Sequence, residues 1–294
     1  MKKAMSLLLV IALCLSMGTI AFADEAVVVK SFEEVKQHVS EVYGLPIDVV
    51  DKLDPQKVWD MEVDDEQIVS TEEVYIQYVV DEKGNATATK TTKAAYQAYI
   101  STPQLAANPV TETTSWMRIY LTIINNGSTY DLATTYTWLT TPAFLFNEHN
   151  ILSTVWDYGN YITADGFYSY DSHASQSGIE YFNENDFVQP YGNPRSVNYV
   201  HVMEDIASRY GHVFHTNVTI SRDYSASYNR AMSTYTRERN RTMIWDLVVN
   251  ATFFMYLRSP GNPYLAFTNE ILQIMDDAPS HFMTFGATAD IRLD

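Results

Sequence analysis

The chain has 294 residues, of which 46% are hydrophobic, and a formal net charge of −17. The apolar content is that of a folded domain and argues against a disordered chain. So large an acidic excess repels phosphate backbones and anionic lipid surfaces, which excludes nucleic acid as an expected partner.

The start of the chain reads as an address. Met1, Lys2 and Lys3 precede an apolar stretch over residues 7–20, and Ala21-Phe22-Ala23 stands just before Asp24 and Glu25. A basic n-region, an apolar h-region and an A-x-A site make a secretory signal peptide over residues 1–23, in a bacterial style. Cleavage after Ala23 leaves 271 residues with a net charge of −19, and it predicts a secreted, extracellular protein. Cys14 is the only cysteine and is lost with the signal. A lipid-anchor reading of Cys14 is disfavoured by Leu13 before it, where a small side chain is wanted. The mature chain therefore has no disulfide, thiolate metal site or cysteine nucleophile. It must hold itself together by burying apolar surface, and a chain of this size buries about 70–75% of its unfolded surface.

Residues 24–65 read as an acidic helical segment. Ser31-Phe32-Glu33-Glu34 has capping-box spacing and leads into apolar Val35, Val39 and Val42, with Gly44 and Pro46 to end the helix. Asp54-Pro55 supplies an N-cap and a first-turn proline for a second helix carrying Val58, Trp59 and Met61. Such helices are too short to stand alone, so the segment is expected to pack on the strands C-terminal to it, with an interaction arm as the alternative.

Residues 66–294 read as one β-rich domain. Val74, Ile76, Tyr78 and Val80 alternate with polar neighbours, and a turn over residues 82–85 leads to a threonine-rich return strand over 87–92. Met117, Ile119, Leu121 and Ile123 then share one face, with Trp116, Arg118, Tyr120 and Thr122 on the other. Asn126-Gly127 signals a hairpin, and Tyr130, Leu132, Thr134, Tyr136 and Trp138 line one face of the returning strand. Further alternating runs lie at 151–158, 197–204, 213–222, 243–250 and 283–293. The apolar run over 242–257 is too short for a membrane helix of ~20 residues and reads as core strand, so no transmembrane span is expected in the mature chain. The fold class predicted is mainly β: an antiparallel β-sandwich or jelly-roll-like body with one buried face per sheet, preceded by a short N-terminal helical segment.

Charge chemistry changes along the chain. No arginine precedes Arg118 and no lysine follows Lys93; residues 24–115 carry 18 acids against 7 lysines, and residues 116–294 carry 18 acids against 10 arginines. Arginine suits buried bidentate pairs and lysine prefers hydration, so a sub-boundary near residue 105 is one reading of the change.

Chemical motifs are few. His212 and His215 are three apart, a helix spacing, but the alternation of Phe214, Val218 and Ile220 makes the segment a strand and points the two histidines unhelpfully for zinc. Ser175-Gln176-Ser177-Gly178 lacks the flanking glycine of a nucleophile elbow. No catalytic residue and no metal ligand is assigned. Ca2+ is the one possible ion, since Asp157, Asn160, Asp165 and Asp171, and separately residues 183–186, offer oxygen ligands. Neither set matches a calcium-loop spacing, and turn chemistry explains them better.

The one local excess is aromatic. Trp156, Tyr158, Tyr161, Tyr168 and Tyr170 head a cluster that continues to Tyr199 and is interrupted by glycine and proline, which reads as loop. Rigid rings on loops above a β scaffold bind ligands at low entropic cost, and these five are the predicted ligand-binding residues. The bland alternative is sheet packing with the hydroxyls at the rim. The function expected is a non-enzymatic extracellular binding or surface-associated protein using aromatic loops, with polysaccharide or cell wall as partner. Two alternatives are carried: a secreted, glycosidase-like hydrolase, for which the sequence offers many carboxylates but singles out no pair, and a β-rich pore-forming or toxin-like protein, for its long Thr/Ser/Tyr strands.

Overall fold

The computed structural model describes residues 30–81, 86–102, 112–140, 149–157, 159–171, 177–189, 195–202, 210–222, 228–238 and 282–292. Among the described residues three α-helices come first: α1 (Phe32–Tyr43), α2 (Ile47–Val50) and α3 (Pro55–Asp60). Ser31 caps α1 as the sequence predicts: the Glu34 amide donates to its hydroxyl, and the Ser31 amide donates to the Glu34 carboxylate at 2.6 Å. Donation from the Ser31 amide, with help from the Ser31 side chain, holds the Glu34 carboxyl below its usual range. Gly44 ends α1 at φ 62°. A side chain there would meet the Tyr120 ring at 2.5 Å, so the glycine serves both the left-handed turn and the close approach of helix to sheet. Asp54 accepts from the Gln56 amide and caps α3, with Pro55 in its first turn.

The strands of the described residues form two antiparallel sheets, which is the sandwich the alternation predicts. One has seven strands in the order β2 (Ala86–Thr91), β1 (Ile68–Asp81), β3 (Glu112–Asn125), β4 (Thr129–Trp138), β10 (Tyr210–Ser221), β6 (Tyr161–Asp171) and β7 (Ser177–Phe182). The other has five, β12 (Phe282–Arg292), β11 (Tyr228–Glu238), β5 (His149–Trp156), β9 (Ser196–Val202) and β8 (Phe187–Val188). The β3–β4 hairpin turns at Asn126, Gly127 and Ser128, with Gly127 at φ 80°, a conformation that only glycine adopts cheaply. The expected strand over 243–250 and the run over 242–257 lie outside the described residues.

Between the sheets sits the core expected from the period-two pattern. Ile76, Met117, Ile119, Leu121, Ile123, Leu132 and Tyr136 from the larger sheet pack with Leu152, Trp156, Ala231 and Tyr235 from the smaller. Hydroxyls tie the layers where a disulfide would otherwise serve: Thr134 and Ser233 meet across the interface at 2.6 Å, both fully buried.

The expectation of one buried face per sheet needs correction. The middle of the second face of the seven-stranded sheet is also buried, under the helices. Val35, Val39, Val49, Val50 and Val58 pack there against Ile124, Ala133, Phe167 and Val213. The face is half polar because its strands must be both covered and hydrogen-bonded: the Thr122 hydroxyl donates to the Val42 carbonyl at 2.6 Å, and Arg118 donates to the Gly44 carbonyl. A further helix, α4 (Lys93–Ser101), capped by Thr92 and absent from the sequence expectation, lays Tyr96 and Tyr99 over Trp116, at 5.5 and 5.3 Å between ring centres. The molecule is thus helix, sheet, sheet. β1 and β3, which lie on either side of residue 105, pair along β1 from Ile68 to Asp81.

Candidate functional site

Where helices meet the seven-stranded sheet, packing is incomplete and leaves a cleft of about 200 Å3. Its helical wall carries Tyr43 from the end of α1, Lys57 and Asp60 from α3, and Glu62 just beyond. Its floor is the second sheet face, with Asp131 from β4 and His215 and Asn217 from β10. The sheet order places β4, β10 and β6 side by side, so alternate residues of each reach the same floor.

His215 is buried, 2% exposed, with Phe167 stacked on it at 5.1 Å and Tyr43 edge-on at 5.5 Å. Its Nδ1 meets the Thr135 hydroxyl at 2.9 Å. Burial, helped by the Lys57 charge, pushes its pKa down to about 3, so the imidazole is neutral at ordinary pH. Lys57 itself is ion-paired with Asp165 on β6. Burial raises the Tyr43 hydroxyl, and Asp131, Glu62 and Asp165 add to that, a sign of negative potential around the ring.

The rim is a hydrogen-bonded frame. Asp131 accepts from Asn126 Nδ2 at 2.8 Å and from the Thr219 hydroxyl at 2.6 Å. Glu62 Oε1 pairs with Lys30 and lies 3.0 Å from His38 Nδ1. Two oxygens stay outside the frame. Glu62 Oε2 and Asn217 Oδ1 are shut off from solvent and have no hydrogen-bond partner.

The predicted ligand-binding aromatics lie elsewhere. Trp156 ends β5 at 2% exposure, its indole N–H donating to the Gly159 carbonyl at 3.1 Å, and Tyr168 on β6 is 6% exposed, 4.2 Å from the His201 ring. Tyr161 and Tyr170 are partly buried against the same core, and Tyr158 lies outside the described residues. The reading of these rings as loop platforms is corrected for the four described ones, which are on strands and pack in or against the core. Among the described residues, the exposed aromatics are instead Trp59 at 44% and Tyr181 at 47%. Both belong to the α3 region, since Trp59 is in α3 and the amide of its capping residue Asp54 donates to the Tyr181 hydroxyl at 2.8 Å.

Two residues of the oxygen-rich stretches offered for Ca2+ have partners within the protein. Asp165 is on a strand and pairs with Lys57, while Asn183 accepts from the Asn185 amide at 3.0 Å as turn chemistry predicts. Nothing in the sequence groups Lys57, Glu62, Asp131 and Asn217. His215 is the strand residue that the alternation predicts; the signal that could promote it to a site is a histidine on the polar face of a strand whose other face is core.

No protein family matches the sequence, and no curated protein matches it either. Among solved structures, the KRT10-binding region domain of the pneumococcal serine rich repeat protein PsrP aligns at 9% identity over 58% of this chain and 90% of that one, with a TM-score of 0.27. At that score the likeness carries no argument, and the fold rests on its own strand pairing. Among the described residues, no helix is long and apolar enough to cross a membrane.

Proposed function

We propose that the chain is an exported protein that acts outside the cell as a non-enzymatic, surface-associated binder, with wall polysaccharide as its partner. Export is supported by the basic start, apolar run and A-x-A site over residues 1–23. An extracellular role suits a body that needs no thiol and buries both faces of its larger sheet. The observation that carries the binding part is the pair of exposed rings, Trp59 and Tyr181, linked to one short helix on the outer side of the molecule. Trp59 is held by Phe32 at 5.8 Å between ring centres. A flat ring fixed in place and open to water is the kind of surface on which sugars stack, with little entropy left to lose.

Two measurements separate the parts. N-terminal sequencing of protein from culture medium or wall extract should begin at Asp24; full-length chain confined to the cytosol contradicts export. Co-sedimentation with insoluble wall polysaccharide should retain the wild type and lose it at least tenfold in the Trp59→Ala, Tyr181→Ala double variant. Retention unchanged in that variant rules these rings out, and no retention of the wild type rules out the partner.

A further inference from the structure

The five-stranded sheet also has a face turned away from the core, and that face is buried. Leu152, Tyr199, Ala231 and Tyr235 point into the sandwich. Alternation sends Ile151, Ser153, Val155, Asn198, Met232 and Thr234 to the opposite side. The register sets them in one patch, with Met232 beside Val155, Thr234 beside Ser153, and Ser153 beside Asn198. Each of the six is no more than 7% exposed. The outer face of an antiparallel sheet is ordinarily solvated, so this one has a cover. We propose that the cover is the chain's own apolar run, residues 242–257, seated on β11, β5 and β9.

These exposures are those of the single chain, so what covers the patch belongs to the same chain. The described helices are committed elsewhere. Those of the N-terminal segment pack against Ile124, Ala133, Phe167 and Val213 of the seven-stranded sheet, and α4 lies over Trp116 of that same sheet. Of the stretches after Asp24 that lie outside the described residues, 239–281 is the longest. Its two ends fit the patch. Glu238 and Phe282 pair with each other, and Glu238 also pairs with His149 on β5, the middle strand of the three. The excursion thus begins and finishes about 5 Å apart, one strand spacing, and none of its length is spent on crossing to the other sheet.

The chemistry of the two surfaces matches. From Thr242 to Leu257 only Asp246 carries a charge, in a chain that is 19% charged. Trp245, Leu247, Val249 and Phe253 in that run are residue types that favour burial. Ile151, Val155 and Met232 offer apolar surface and belong to neither core cluster of the described residues. The polar part of the patch tolerates an apolar cover, because the Ser153 hydroxyl donates to Asn198 Oδ1 and Asn198 Nδ2 donates to the Val188 carbonyl at 3.4 Å. A face closed in this way is not a surface for an outside partner, which leaves recognition to other parts of the molecule.

Cysteine scanning tests this in protein beginning at Asp24, which contains no cysteine of its own. Thr234→Cys should react with a maleimide at least a hundredfold more slowly than Glu41→Cys, an exposed position on α1. Combined with a second cysteine at each position from 242 to 257 in turn, Thr234→Cys should form disulfides within one chain at a subset of those positions, read by peptide mapping. Ser153→Cys on the neighbouring strand replaces it if circular dichroism shows Thr234→Cys to be misfolded. Labelling of a folded variant at the exposed rate would overturn the proposal, as would the lack of a disulfide at every one of those positions. Disulfides formed only between chains would make a second copy the occupant. Labelling brought to the exposed rate by phosphatidylcholine vesicles would make a membrane the partner of the run. Either of these two results also overturns the proposal.

Discussion

The two faces of the seven-stranded sheet are built from the same strands by different rules. Toward the second sheet, β3 presents Met117, Ile119, Leu121 and Ile123, and β4 presents Leu132 and Tyr136, all buried and nearly all apolar. Toward the helices, the same strands present Trp116, Arg118, Thr122, Ala133 and Thr135, also largely covered but polar enough to need partners. An apolar face needs mainly volume. A polar face must also match donors to acceptors one by one, and here a cleft is left between the helices and the sheet.

The difference predicts how each face fails. Leu121→Ala removes a fully buried side chain between the sheets and should cost about 2–5 kcal/mol in chemical denaturation; a loss under 1 kcal/mol would mean that the interface is looser than its burial implies. Gly44→Ala attacks the other face, placing a methyl group in a left-handed turn and against the base of the Tyr120 ring. It should cost about 1–3 kcal/mol, with the lost exchange protection concentrated in α1 and β3.

The smallest effect per step is the pH response of the polar face. The His215 pKa is lowered from 6.5 to about 3 in the folded state. The unfolded chain therefore binds more protons between those values. Stability from this group is complete above pH 6.5 and falls as pH drops toward 3, by at most about 1.4 kcal/mol per pH unit. His201, half-buried against Tyr168 and Phe214 and pushed down to about 4 mainly by burial, adds a slope of the same sign. Comparing His215→Gln with the wild type isolates the first contribution, and identical pH slopes in the two would refute it.

The same contrast explains what could be read from the chain. Period-two apolar residues reveal a face that packs on a sheet, so β1, β3, β4 and the sandwich were legible. So were α1 and α3, because Ser31, Glu34, Gly44, Asp54 and Pro55 act on their own neighbours. The covering of the second face was not legible: Trp116, Thr122 and Thr135 look solvent-facing until a helix from elsewhere reaches them. Helix α4 was hidden because Thr92 reads as the end of a threonine strand and also caps the helix. The aromatic run over 156–199 misled for a related reason. Glycine and proline there suggested loops, but Tyr161, Tyr168 and Tyr170 lie on β6, whose pairing with β10 turns the rings into the core or against its edge. The cleft draws Lys57, Glu62, Asp131 and Asn217 from widely separated segments, and no local spacing relates them.

Both the second buried face and the cleft require the helical segment to be an integral third layer of the molecule. Native-state hydrogen exchange on the whole mature chain tests this directly. Amides of α1 from Val35 to Tyr43 should exchange through the same global opening as those of β3, with matching free energies and matching dependence on denaturant. Fast, denaturant-independent exchange in α1 while β3 stays protected would show a detachable arm, and the buried second face would not exist.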